Sequence, residues 1–157
     1  MKKYILIALA AIAFASCEEE ITSNTPAFQA TNGYSSWRAI DKTATVTNGN
    51  LVVAGNDEAE KLELKINGYQ LGQEYTFGTS ANVTAVYTKT INDTVYTYKT
   101  SATQGSGFVK LNPVAHQVPG TISGTFLVEL FPEGNMLPNT PKVHFNGGVF
   151  YQIPLTN

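Results

Sequence analysis

Side chains that could do chemistry are few in this sequence, and they are scattered. There is one cysteine, Cys17, and there are two histidines, His116 in a proline-flanked loop and His144 between Val143 and Phe145. A metal site needs several His, Cys, Asp or Glu ligands brought together, and neither an HxH nor an HExxH spacing occurs. Asn56-Asp57-Glu58 could lend oxygens to calcium, but the full EF-hand pattern is missing, so these residues read as a capped turn. Gly105-Ser106-Gly107 and Ser123-Gly124 lack the spacing and the strand-to-helix context of a nucleophile elbow. The carboxylates Asp41, Asp93, Glu129 and Glu133 stand isolated, with no spacing that pairs them as glycosidase acid and base. The expectation is a protein with no catalytic constellation, no metal and no other cofactor. Binding is better supported: Tyr87, Tyr96 and Tyr98 make one candidate aromatic face, and Tyr34 with Trp37 a second. Such rings offer contact area with a polar handle, as a glycan or protein partner requires. The alternative is that the same rings form the core, where buried aromatics are common.

The elements that would position these residues read as strands. Phe28-Gln29-Ala30 alternates and is closed by Asn32-Gly33, a two-residue hairpin signal, with residues 34–39 returning. Residues 44–47 and 51–54 flank Asn48-Gly49-Asn50 in the same way. A helix competes over residues 56–65 because Asn56 or Asp57 followed by Glu60 resembles a cap. Leu62, Leu64 and Ile66, however, alternate strictly with Glu63 and Lys65, which predicts a strand from about Lys61. Residues 82–91 and 94–100 flank Asn92-Asp93, and that loop would set Tyr87 opposite Tyr98 and Lys89 opposite Tyr96. Residues 121–131 predict the longest and most central strand, with Ile122, Gly124, Phe126, Val128 and Leu130 on one side. Three prolines in 132–141 predict a surface loop, and residues 143–145 and 149–153 close the domain around Asn146-Gly147-Gly148. Many short strands joined by tight turns predict an all-β fold, an antiparallel β-sandwich or alternatively a small, lipocalin-like β-barrel.

Composition agrees. Charged residues make up 14% of the chain and the net charge is −2, so the clustered Lys and Arg of a nucleic-acid footprint are missing. With a single cysteine no disulfide forms within one chain, and the fold must rest on burial and strand pairing.

Lys2 and Lys3 followed by the apolar run 4–14 form a signal peptide, too short to span a bilayer, where about 20 residues are needed. Ala15-Ser16-Cys17 resembles a bacterial lipobox, which implies cleavage before Cys17 and acylation of its sulfur and its new amino group. Ala13-Phe14-Ala15 also fits an ordinary A-x-A cleavage site, which would leave a chain beginning at Ser16. Glu18, Glu19 and Glu20 resemble the surface-export signal of Bacteroidota lipoproteins, and they also read as a solvated acidic tether. The resulting division is a signal peptide over 1–16, a flexible acidic tether over 17–26 and one domain over 27–157. The expected place is the outer membrane, lipid-anchored and facing outward. Asp93-Thr94-Val95 resembles the short O-glycosylation acceptor pattern of the same bacteria, with Thr94 the acceptor at a hairpin tip.

Phe28-Gln29-Ala30-Thr31-Asn32-Gly33, Trp37-Arg38-Ala39, Gly120 to Phe126 and Phe145 to Phe150 are similar to an uncharacterised family of small Bacteroidota lipoproteins. That resemblance covers most of the chain beyond the leader and implies no mechanism. The functional expectation is a non-enzymatic, surface-exposed envelope lipoprotein that binds a glycan or protein partner. The alternatives are an assembly component that pairs through an edge strand, and a hydrolase with an unrecognised carboxylate pair.

Overall fold

Strand-forming runs separated by left-handed turn residues dominate the chain, and the resulting architecture is built almost entirely of strands. The structure, a computed structural model, describes residues 25–134 and 140–156. Among them are eleven strands: β1 Ala27–Asn32, β2 Ser35–Arg38, β3 Asp41–Thr47, β4 Asn50–Asn56, β5 Glu60–Asn67, β6 Glu74–Thr76, β7 Val83–Ile91, β8 Thr94–Lys99, β9 Ser106–Leu111, β10 Thr121–Pro132 and β11 Val143–Thr156. A 3-10 turn, Val114–His116, lies between β9 and β10. The alternation at 62–66 prevails over the helix-like cap, as expected: Leu62, Leu64 and Ile66 are buried in β5.

Two layers face each other. One carries the order β2-β1-β11-β10-β9-β6, and the other β3-β4-β5-β7-β8. They are not separate sheets. The last residues of β10 leave the first layer and pair with β8, Phe131 opposite Lys99 and Pro132 opposite Tyr98. At the other end of the molecule β11 crosses over and pairs with β3, Leu155 opposite Ala44 and Thr156 opposite Thr45. The hydrogen-bonded circuit therefore closes through β3, β4, β5, β7, β8, β10 and β11. This is a β-sandwich, as the strand pattern predicted, and its corners add a barrel-like closure. The pairing is not purely antiparallel, because β11 runs parallel to β3 at that corner.

What lets β11 cross over is its irregularity. The predicted break at Asn146-Gly147-Gly148 is a bulge inside one 14-residue strand, which makes β11, rather than β10, the longest strand. Two residues oppose one at Gly147, with φ +57°, and again at Gln152, with φ +49°. A bulge bends and over-twists its strand. The buried Ser123 hydroxyl accepts the Gln152 N–H at 2.8 Å and holds the second bend in place.

Between β10 and β11 two glycines and two phenylalanines lock reciprocally. Gly124 lies opposite Phe150 and Gly148 opposite Phe126. A Cβ added at Gly124 would collide with the Phe150 ring, and one added at Gly148 would collide with the Phe126 ring. Each ring thus fills the space that a side chain on the partner strand would need. Phe126, Phe150, Phe28 and Phe145 are fully buried, each worth about 1.5–3 kcal/mol of transfer free energy. Phe28 packs edge-on against Phe126 at 5.5 Å and Phe150 at 6.2 Å. Gly148→Ala should therefore cost about 2 kcal/mol by overpacking, read as a lower urea midpoint with an unchanged slope.

Candidate functional site

The connections β1–β2, β2–β3 and β4–β5 gather at one end of the sandwich beside Lys89 of β7, and a cavity of about 640 Å³ opens among them. Each wall follows from local sequence. In the first hairpin Asn32 pairs with Ser35, so Gly33-Tyr34 forms the two-residue loop. The predicted turn at Asn32-Gly33 is displaced by one residue. Gly33 alone takes positive φ there, +61°, which is the first-position demand of a type II′ turn. Asn32, Ser35 and Ser36 consequently face the cavity, with the edge of Trp37 beside them.

The opposite wall is the turn between β4 and β5. Asp57 Oδ1 accepts the N–H groups of Ala59 at 3.0 Å and Glu60 at 2.8 Å, the capped turn read from the sequence. Glu58 is left exposed at its tip. Glu60, the first residue of β5, stands opposite Lys89 of β7, whose Nζ lies 2.6 Å from Glu60 Oε1. The pair is partly exposed, so it adds little net stability, but it orients both heads toward the cavity. Ile40 and Ala59 supply apolar lining.

Trp37 Nε1 is buried without a partner among the described residues, whereas the Tyr87 phenol, buried and outside the cavity lining, interacts with the Glu60 carboxylate. Burial, reinforced by the charge of Glu60, holds the Tyr87 phenol far above the usual tyrosine range.

The two aromatic faces expected from the sequence are not formed as platforms. Tyr87 is 1% exposed and Trp37 is 3% exposed, because both point between the layers. They share one neighbour: Phe145 stacks edge-on with Trp37 at 5.5 Å and with Tyr87 at 5.1 Å. Tyr98 does lie opposite Tyr87, as predicted, but half-buried and tilted against it at 5.8 Å. Tyr96, opposite Lys89 and 36% exposed, and Tyr34, fully exposed at its hairpin tip, remain accessible.

Thr94 is exposed, the first residue of β8 after the Asn92-Asp93 turn. His144 is exposed, and Glu129 accepts from Lys142 at 3.0 Å and lies 3.4 Å from the imidazole. Glu133 pairs with Lys99. Cys17, Glu18, Glu19 and Glu20 lie outside the described residues. Among the described residues no three His, Cys, Asp or Glu side chains converge to hold a metal ion.

The pocket wall of Ser35, Ser36, Glu60 and Lys89 was not foreseen. Its one legible signal was register: with β5 and β7 recognised as neighbours, Glu60 and Lys89 would have been placed opposite each other.

Fold and pocket define an all-β sandwich domain with a polar, open cavity at one end. The chain belongs to the family described as Domain of unknown function (DUF6252), which matches residues 24–154, in line with the expected membership of an uncharacterised family. No curated protein and no solved structure matches it.

Raising the Tyr87 pKa favours the neutral phenol in the folded state. That contribution is complete below the unfolded tyrosine value of 10.0 and is lost as pH rises above it. Tyr87→Phe should accordingly stay within about 1 kcal/mol of the parent near neutrality and lose less stability above about pH 10, read from thermal midpoints across pH.

Proposed function

We propose that this protein is an outward-facing envelope lipoprotein, anchored through Cys17, whose domain binds a ligand in the end cavity without transforming it. The observation that carries the reading is where the cavity lies relative to the start of the domain. β1 begins at Ala27, opposite Tyr151, and ends at Asn32, opposite Phe145, in the cavity wall. A chain entering at Ala27 therefore arrives at the far end of the sandwich. A tether over residues 17–26 can reach at most roughly 35 Å, so it would hold that far end toward the membrane and leave the cavity facing away. A role in binding rather than catalysis is supported by the state of the carboxylates. Asp57 is engaged by two backbone N–H groups and Glu60 by Lys89, so both are held as fixed acceptors.

A cavity of this size suits a small molecule or the end group of a larger one, glycan or protein. Assembly through an edge strand has less support, since the layer edges β2 and β6 are only four and three residues long. The exposure of Thr94 is compatible with its proposed glycosylation.

The anchor is tested by labelled fatty acid. Incorporation should be complete in the parent and abolished in Cys17→Ala, which should appear in the soluble fraction. Equal labelling of the two proteins would refute it. Protease treatment of intact cells should remove the domain if it faces outward.

A further inference from the structure

We infer that the end of the sandwich opposite the cavity rests on the lipid surface, with Val114 and Val118 entering its apolar edge; this rests on the anchor at Cys17 and names the face of the domain that meets the bilayer. The connection between β9 and β10 carries Pro113, Val114, Ala115, Val118 and Pro119, all exposed, with Val114 at 72% and Val118 at 44%. The 3-10 turn Val114–His116 buries none of its residues, so its apolar side chains do nothing for the core. Yet the connection is firmly held. The Gln117 side-chain amide donates to the carbonyls of Asn112 and Ser123, both at 3.1 Å, and the Thr121 hydroxyl donates to the carbonyl of Val118 at 2.8 Å. A held loop that turns valines to solvent loses little conformational entropy when a surface covers them.

Charge says what that surface is. Residues 48–49, 68–73, 112–120 and 152–156 meet at this end, where the N–H groups of Tyr69, Gly72 and Leu155 donate to the carbonyls of Gly49, Asn112 and Gly120. None of these segments contains Asp, Glu, Lys or Arg. The cavity end, by contrast, carries Asp57, Glu58, Glu60 and Lys89. A protein partner would be steered and registered by charges at the rim, which this end lacks. An apolar layer under headgroups instead penalises charge and rewards bare valines. Position agrees. Ala27 stands opposite Tyr151, whereas Thr121 stands opposite Pro154, further along β11, so the loop reaches up to about 10 Å beyond the start of β1. Lipid attached at Cys17 therefore brings this end to the bilayer ahead of any other.

Cys17 is the only cysteine, and acylation leaves the chain no free thiol, so a dye can be placed at one chosen position. Val114→Cys and, at the cavity end, Glu58→Cys are made in the full chain, purified from membranes, labelled with bimane and reconstituted in phosphatidylethanolamine–phosphatidylglycerol vesicles that carry a nitroxide on the acyl chain. The dye at position 114 should be quenched by the nitroxide and shielded from aqueous iodide, and the dye at position 58 should behave in the opposite way. Val118→Asp, at an exposed site that folding does not depend on, should lower the bilayer-bound population about tenfold, the equivalent of one valine's transfer. Acyl mass and flotation with the vesicles are read on the same samples. An acylated, floating protein whose dye at position 114 stays open to iodide would overturn the lipid contact and leave the anchor standing. Shielding from iodide without nitroxide quenching would mean that protein, a second copy included, covers the loop, and would overturn the lipid contact too. A chain with neither acyl mass nor flotation would overturn both. An unacylated chain that floats, and stops floating with Val118→Asp, would support the contact and overturn the anchor.

Discussion

Phe126 lies over Gly148 and Phe150 over Gly124, and the rest of the molecule depends on that exchange between β10 and β11. Among the described residues these two strands are the only ones that belong to both layers. Their mutual register decides where each leaves the first layer, and so whether β10 reaches β8 and β11 reaches β3. Because side chains alternate with a period of two, slipping the pair by one residue would drive both rings to the outer face. The glycines make the register unique, since at those positions any side chain would occupy the volume of the ring. With no disulfide available, a steric key of this kind is how a strand-rich domain chooses one pairing among several.

From this key the core extends as a continuous row of aromatic edges. Phe28 meets Trp37 at 5.3 Å, Trp37 meets Phe145, Phe145 meets Tyr87, and Tyr87 meets Tyr98. The row passes from the first layer to the second, and Trp37 is the ring of it that borders the cavity.

Local features of this fold were legible in the sequence because they are decided locally. Asn48-Gly49 and Asn92-Asp93 each take two left-handed residues, and each stands where the sequence put a hairpin. Leu62, Leu64 and Ile66 declared a strand by alternation, and the capped turn at Asp57 was readable from residue type. The closure of the sandwich was not legible, because it rests on two residue pairs at each corner, between segments far apart in sequence. For the same reason Trp37 and Tyr87 were assigned to different faces: only Phe145, distant from both in sequence, shows that they share one core. The cavity is built from three connections between strands and one residue of β7, and none of those pieces carries a recognisable motif alone.

The course of β1 has a mechanical side. It is the only strand that runs from the domain's first described residues directly to a wall of the cavity, and it is flanked by β11 along its length. A pull applied between the cavity end and the start of β1 would act along the axis of that strand. Its five register pairs with β11 would then be loaded together in shear rather than peeled apart one after another. Load on that side would be borne first by this one strand pair, the stiffer of the two ways to pull on a sheet.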